Sequence, residues 1–175
     1  MKSMVELSHE FLEPCLHSQA ICVDATLGQG KDAKFFLEKG VKKVYGFEIQ
    51  EEVLKETTGK IQDTRLQAFL LGHEHMSEVI HESVDAIVFN FGYFPNGNHE
   101  IVTQQATSVS AICQALSLLK IKGRMCLVMY PHESGKKEAE GIEEYLKHIG
   151  NCQIHKLTNF IQDDCPYLIM VEKRR

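Results

Sequence analysis

The feature that most constrains the fold is a regular alternation of short apolar runs with amphipathic, helix-like stretches. Such alternation is typical of a parallel β-sheet covered by helices on both faces. The predicted strands are residues 20–24, 44–49, 66–71, 85–90, 124–130, 152–157 and 167–172. The predicted helices are residues 6–16, 31–38, 51–59, a long segment ending near residue 119, and 136–149. The sequence therefore predicts an α/β fold.

The end of the chain departs from this rhythm. The last two predicted strands are separated only by residues 158–166, which is too short for a helical crossover, so we expect them to pair antiparallel at an edge. Residues 120–123 are predicted to form a turn before the fifth strand. With no internal repeat and no linker, residues 1–175 are expected to form one domain with a seven-stranded, mostly parallel sheet.

Composition excludes several classes of protein. Hydrophobic residues make up 43% and charged residues 25% of the chain, and no run approaches the roughly 18 apolar residues that cross a bilayer. The amino-terminal segment lacks the apolar core of a signal peptide, so we expect a cytoplasmic protein without membrane contact. Six cysteines without a CxxC pair are predicted to be reduced thiols, with no zinc site and no disulfide. Since the net charge is −5, any nucleic-acid contact must be local.

The strongest local signal is a strand that runs into a glycine-bearing turn and then a helix, VDATLGQGKD at residues 23–32. Glycines at positions 28 and 30 allow the backbone to approach a ligand closely, which suits a nucleotide-like cofactor. A tight structural connection is the alternative reading of this turn. Glu48 closes the next strand at about the offset where an acid binds ribose hydroxyls. The turn and the acid together predict a cofactor site.

The charges around the turn favour one kind of cofactor. Ala33 occupies the place of the third glycine of a dinucleotide motif, so a nicotinamide cofactor remains an alternative. However, Asp24 and Asp32 would lie beside the pyrophosphate and repel it. S-adenosylmethionine has no phosphate and carries a sulfonium and an ammonium group, which acidic side chains attract. We therefore predict S-adenosylmethionine as the cofactor.

A second element follows the fourth strand, NFGYFP at residues 90–95. Asn90 offers a neutral acceptor to a substrate amine, and Tyr93 or Phe94 could stack on a planar base. A turn with two buried rings is the alternative reading. His73, Glu74, His75 and His132 add titratable groups at the same edge. We predict no metal there, because His73 and His75 would point to opposite sides of a strand.

These segments occur in the same order as in a known family. The chain resembles the small class I methyltransferases described as rRNA methylases, the YtqB/MnmM-like family, over nearly its whole length. The most specific piece is Asn-x-Gly-Tyr-x-Pro, which is similar to the motif of enzymes that methylate exocyclic or side-chain nitrogens. The resemblance implies a Rossmann-like class I methyltransferase fold. It also implies methyl transfer to the amine of 5-aminomethyl-uridine, or its 2-thio form, at the tRNA wobble position.

The resemblance also implies roles for individual residues. Cofactor-binding residues are predicted to be Asp24, Thr26, Gly28, Gln29, Gly30, Asp32, Glu48, Ile49, Gln50, Glu74, His75 and Asn90. Asn90 and Tyr93 are predicted to be catalytic. Substrate contacts are predicted for Gly92, Tyr93, Phe94, Pro95 and His132. The chain departs from the family at Gln29, Lys31, Glu48 and residues 96–98, where side-chain length or charge differs, so we expect a difference in cofactor affinity or substrate choice.

The predicted reaction is an in-line displacement at the sulfonium methyl by a neutral amine that Asn90 orients. The expected partner is a tRNA anticodon stem-loop, and the oligomeric state is left open, with a homodimer compatible. The basic residues that could contact its phosphates are Lys120, Lys122, Arg124, Lys136, Lys137, Lys173, Arg174 and Arg175. The alternatives are a small-molecule amine methyltransferase, a nicotinamide-dependent oxidoreductase and a non-catalytic binding subunit.

Overall fold

A computed structural model describes residues 1–92, 105–131, 135–162 and 164–175. The helices in these ranges are α1 (Met4–Leu12), α2 (Lys31–Glu38), α3 (Glu51–Lys60), α4 (Gln105–Leu118) and α5 (Lys136–Lys147). The strands are β1 (Ile21–Asp24), β2 (Lys43–Glu48), β3 (Leu66–Leu70), β4 (Val84–Phe91), β5 (Leu119–Met129), β6 (Cys152–Leu157) and β7 (Tyr167–Lys173). Short 3-10 helices cover Glu13–Cys15 and His73–Glu78.

The strands form one seven-stranded sheet in the order β3-β2-β1-β4-β5-β7-β6. The pairs from β3 to β5 are parallel, whereas β7 pairs antiparallel with both β5 and β6. The predicted antiparallel pairing at the end of the chain is confirmed. The chain leaves β1 toward β2 and leaves the adjacent β4 toward β5, so the two connections diverge at the carboxyl ends of β1 and β4, where open α/β sheets bind their ligands.

Helices cover both faces of the sheet, as predicted. On one face the core includes side chains of α4, α5 and the 3-10 helix at His73–Glu78, among them Met76, Ile112 and Ile142. On the other face it includes side chains of α1 and α2, among them Leu12 and Phe36. Successive strand residues point to opposite faces, so both faces of the apolar strands are buried, as their sequences require.

Two boundaries differ from the sequence-based prediction. The first helix begins at Met4, where Ser3 and Glu6 form a reciprocal capping box, and it ends before Pro14. The predicted turn at residues 120–123 is wrong, because these residues belong to β5. Strand β5 accommodates the additional residues through two irregularities. Its pairing with β4 shifts register between Val84 and Ala86, and Lys122 adopts a left-handed conformation with φ 65°.

Candidate functional site

The loops after β1, β2, β3 and β4 meet at one edge of the sheet, because these strands are parallel. The predicted cofactor turn follows β1, Glu48 ends β2, His73–Glu78 follows β3, and Asn90 lies near the end of β4. We call this the carboxyl edge. Most of the predicted site residues that the structure describes lie there.

The cofactor turn is built on two left-handed glycines. Gly28 has φ 47° and Gly30 has φ 74°, conformations that L-residues rarely adopt. A Cβ on Gly30 would lie 2.5 Å from Cδ1 of Ile61 and 2.9 Å from Cγ2 of Thr57, so this position is also closed by packing. A Cβ on Gly28 would meet nothing closer than the Thr26 carbonyl oxygen at 3.8 Å. The turn is therefore anchored at Gly30 and open at Gly28, where a ligand could approach the backbone.

Glu48 holds this turn in place through its carboxylate. The Gly28 backbone N–H donates to Oε2 at 3.0 Å, and the N–H groups of Ile49 and Gln50 each donate to Oε1 at 2.9 Å. A carboxylate has about four acceptor positions, so Oε2 keeps the capacity to accept from a ribose hydroxyl. Ile49 is 46% exposed beside it and offers an apolar surface to a planar base. These contacts are compatible with the predicted ribose role.

Replacing Glu48 by glutamine tests this arrangement. The glutamine amide cannot accept from all three backbone donors, so we expect the turn to loosen, with about tenfold weaker binding of S-adenosylhomocysteine and a loss of about 1–2 kcal/mol in the free energy of unfolding. Calorimetry and urea denaturation measure the two effects. Glu51→Gln is the matched control, since Glu51 pairs with exposed Lys55 one helical turn away. Unchanged affinity in Glu48→Gln would remove Glu48 from the cofactor site.

The two acids flanking the turn have different environments. Asp24 is fully buried, and its carboxyl oxygens accept from the backbone N–H groups of Thr26 (3.3 Å) and Ala33 (3.0 Å). Burial, and secondarily the neighbouring Asp32 carboxylate, raise the pKa of Asp24 well above its usual value. Asp24 therefore stabilises the backbone of the turn from its buried side. Asp32 is also buried, but its carboxylate contacts the side chains of His9 and Asn90.

Asn90 is connected directly to the cofactor turn. Its backbone N–H donates to Oγ1 of Thr26 at 2.8 Å, and its side-chain Nδ2 donates to Oδ2 of Asp32 at 2.6 Å. Because a carboxylate can only accept, Asp32 fixes the Asn90 amide group and leaves its carbonyl oxygen as the acceptor for another donor. The predicted cofactor and substrate elements thus lie on the same side of the sheet and are hydrogen-bonded to each other.

Gly92 is the last described residue of the substrate element. It has φ 80°, and a Cβ there would lie 3.0 Å from the Tyr130 carbonyl oxygen, so glycine lets the chain turn closely past β5. The predicted contacts of Tyr93, Phe94, Pro95 and His132 lie outside the described residues. Their roles remain predictions.

The residues after β3 form a 3-10 helix rather than continuing a strand, which corrects the geometry assumed for the histidines. His73 is buried, and its Nδ1 donates to the Ala25 carbonyl oxygen at 3.2 Å; burial lowers the pKa of His73. His75 is exposed, with Nδ1 2.8 Å from Oε1 of Glu78. The backbone carbonyl of Glu74 accepts from Gln114. Across residues 1–92, 105–131, 135–162 and 164–175, no group of three or more potential ligands could hold a metal ion.

Several basic residues predicted to contact RNA lie at the opposite edge of the sheet and have structural partners. Lys120 Nζ lies 2.8 Å from Asp85 Oδ2, and Arg124 Nε lies 3.0 Å from Glu172 Oε2. Lys173 Nζ donates to two backbone carbonyls. The other basic residues at that edge are Lys122, Arg174 and Arg175. These six residues therefore lie away from Asn90, and their contact with RNA remains a prediction.

Two of the basic residues that were predicted to contact phosphates lie at the carboxyl edge. Lys136 and Lys137 are exposed on the first turn of α5, which follows β5 and so begins at the carboxyl edge. They are the candidates for phosphate contacts that the topology supports. No helix in the described part of the chain is long and apolar enough to cross a bilayer.

Two contributors to the candidate site were not predicted from the sequence. Thr57 of α3 donates its hydroxyl hydrogen to the Gly28 carbonyl oxygen, and His9 of α1 lies with Nε2 2.6 Å from Oδ1 of Asp32. Both act across more than 20 positions of sequence, and neither belongs to a local motif.

Known proteins resemble this chain in both sequence and structure. The family model described as "Putative rRNA methylase" matches residues 44–172. A solved structure described as a "putative rRNA-methylase" from Clostridium thermocellum superimposes with a TM-score of 0.93 at 30% identity, covering 99% of this chain and 98% of that chain. A "putative methyltransferase" from Streptococcus mutans, solved in complex with SAH, has a TM-score of 0.89 at 32% identity, covering 99% of each chain.

A curated relative adds a more specific name. It is the chloroplastic tRNA (mnm(5)s(2)U34)-methyltransferase of Arabidopsis thaliana, 30% identical over 161 residues, or 82% of this chain. This chain spans 59% of the length of that relative. SAH is S-adenosylhomocysteine, the demethylated form of the predicted cofactor, so the prediction of S-adenosylmethionine is confirmed at the level of the family. The chain belongs to the rRNA methylase family of S-adenosylmethionine-dependent methyltransferases.

Proposed function

We propose that this protein methylates the aminomethyl nitrogen of 5-aminomethyl-uridine, or its 2-thio form, at the tRNA wobble position. The observation that carries the proposal is the Asn90 amide, which Asp32 and Thr26 hold beside the cofactor turn. A neutral carbonyl acceptor can orient an amine without forming the salt bridge that would keep it protonated. The name of the Arabidopsis relative supports the same substrate.

The residues at the carboxyl edge fit the cofactor. Gly28 leaves room for a ligand against the turn, Glu48 can accept from a ribose hydroxyl, and Asp32 supplies negative charge. When bound, S-adenosylmethionine supplies an electrophilic methyl group on a sulfonium. Asn90 accepts a hydrogen bond from the unprotonated substrate amine and so directs its lone pair. Complete alignment of two reactants can be worth on the order of 7–11 kcal/mol, of which Asn90 supplies a part. Water takes up the proton that the methylated amine releases.

The experiment for this proposal uses labelled S-adenosylmethionine and bulk tRNA from a strain that lacks the gene. After incubation, the tRNA is digested to nucleosides, and label is expected in the methylaminomethyl form of the wobble uridine. Absence of label from this nucleoside would overturn the proposal. Thermal shifts with S-adenosylmethionine and with NAD, run in parallel, check the choice of cofactor.

Binding of tRNA should depend on the two exposed lysines at the start of α5. Replacing Lys136 and Lys137 together by glutamine is expected to weaken tRNA binding and to reduce the slope of log affinity against log salt by about 1 per lysine. Filter binding between low and moderate salt measures both. Lys147→Gln, at the far end of the same helix, is the control. An unchanged slope in the double variant would place the RNA contact elsewhere.

We propose a single catalytic domain over residues 1–175 that works in the cytoplasm on free tRNA. A homodimer remains compatible with it. The small-molecule amine methyltransferase is the alternative that the acidic net charge favours, and the nucleoside analysis distinguishes it from the tRNA enzyme.

A further inference from the structure

The first helix contributes a polar side chain to the site through an unexpected contact. His9 of α1 directs Nε2 at Oδ1 of Asp32, 2.6 Å away, while Oδ2 of the same carboxylate accepts from Nδ2 of Asn90, also at 2.6 Å. One carboxylate thus joins the imidazole to the amide. The side chains of His9 and Asp32 are 20% and 7% exposed, so water competes little for these hydrogen bonds.

We propose that His9 is a positioning residue for Asn90 and acts through Asp32. This inference rests on the proposed function, in which the Asn90 carbonyl orients the substrate amine. A carboxylate bound at one oxygen only can rotate and carry the Asn90 amide with it. Binding at both oxygens fixes the plane of the Asp32 carboxylate and, through it, the direction in which the Asn90 carbonyl points.

His9 is itself held in a defined orientation. Its ring stacks on Phe35 of α2 with centroids 3.8 Å apart and planes within 3° of parallel. The ring therefore packs against the helix that carries Asp32. This stacking explains why an imidazole, rather than a flexible lysine, suits the position: its Nε2 is presented to Asp32 with little loss of conformational freedom.

The contact is not required to dock α1 on the sheet. Leu12 is fully buried in the core, and the Phe11 carbonyl oxygen accepts from Nη1 of Arg124 at 2.7 Å. The Ser8 carbonyl oxygen also accepts from Sγ of Cys126 in β5, at 3.7 Å. Because these interactions hold the helix independently, a His9 variant should fold and should report on the site.

The test uses two substitutions at His9. His9→Phe keeps a ring for stacking on Phe35 but removes the contact to Asp32, and kcat is expected to fall about tenfold, while S-adenosylhomocysteine affinity stays within about threefold. His9→Gln restores an N–H donor near the position of Nε2 and should recover kcat to within about threefold of the wild type. His17→Phe is the matched control, since it removes a histidine 3.6 Å from an aspartate at the opposite edge of the sheet.

A second measurement needs no substrate. The side-chain NH₂ resonances of Asn90, assigned by their loss in Asn90→Ala, should shift in His9→Phe, remain close to wild type in His9→Gln and be unchanged in His17→Phe. Unchanged resonances and unchanged kcat in His9→Phe would overturn the positioning role. Equal losses in the Phe and Gln variants would also overturn it. A wild-type protein that does not methylate tRNA would instead overturn the proposed function, and the resonance measurement would still decide the role of His9.

Discussion

Replacing Asn90 by alanine is expected to lower the methyl-transfer rate by at least about 100-fold, the usual cost of removing one positioned hydrogen-bonding group from an active site. The substitution removes the carbonyl oxygen that would orient the substrate amine and leaves Asp32 without its partner on β4. The contact between Glu48 and Gly28 is not affected, so S-adenosylhomocysteine affinity should stay within a few fold. Single-turnover kinetics and calorimetry measure the two quantities separately.

The control for this experiment is Asn151→Ala. Asn151 is an exposed asparagine near the start of β6, where its side chain donates to the Arg175 carbonyl oxygen. Its replacement should leave both rate and affinity unchanged. If Asn90→Ala loses cofactor affinity as steeply as it loses rate, then Asn90 is a cofactor ligand and a different group must orient the amine.

Replacing Gly30 by alanine is expected to destabilise the protein by about 2–4 kcal/mol, combining left-handed backbone strain with overpacking. The new Cβ would lie 2.5 Å from Cδ1 of Ile61 and 2.9 Å from Cγ2 of Thr57. Because Thr57 also donates its hydroxyl hydrogen to the Gly28 carbonyl oxygen, moving Thr57 would disturb the cofactor turn itself. Urea denaturation should therefore show a lower midpoint, and calorimetry a weaker affinity for S-adenosylhomocysteine.

Substitutions at two other glycines separate the cost of backbone strain from the cost of overpacking. Gly40 has φ 76° with nothing within 4 Å of its Cβ position, so Gly40→Ala should cost only about 1–2 kcal/mol from the left-handed backbone. Gly59 is helical and equally open, so Gly59→Ala should be neutral or slightly stabilising. A Gly30→Ala variant no less stable than Gly40→Ala would show that Ile61 and Thr57 move aside at little cost.

Much of the fold could be predicted because its signals are local. The strands and helices follow from hydrophobic period, and the residues 158–166 are too few for a crossover, which is why the antiparallel end was predicted correctly. The glycine turn and Glu48 were predicted for a similar reason, since the chemistry of that site is carried by residues at strand ends. The prediction of a turn at residues 120–123 was wrong because β5 continues through these residues with a register shift. That shift depends on the pairing with the neighbouring β4.

The charged residues were harder to interpret. Six of the eight basic residues grouped as phosphate contacts lie at the edge away from Asn90, because β5 begins there and the antiparallel β7 ends there. Asp24 and Asp32 look equivalent in sequence, yet one is enclosed behind the turn and the other bridges two side chains. Charge alone carries no information about which edge of the sheet a side chain occupies or what it meets.

The sequence by itself determined the order of the elements, the cofactor turn and the presence of an amide after β4, because each depends on residues that are neighbours along the chain. Only the tertiary structure decided that Asp32 connects Asn90 to His9, that Glu48 binds the backbone of Gly28, and that Ile61 and Thr57 close the space behind Gly30. Those contacts join segments far apart in sequence, and their geometry is set by how the helices pack on the sheet, which no local pattern encodes.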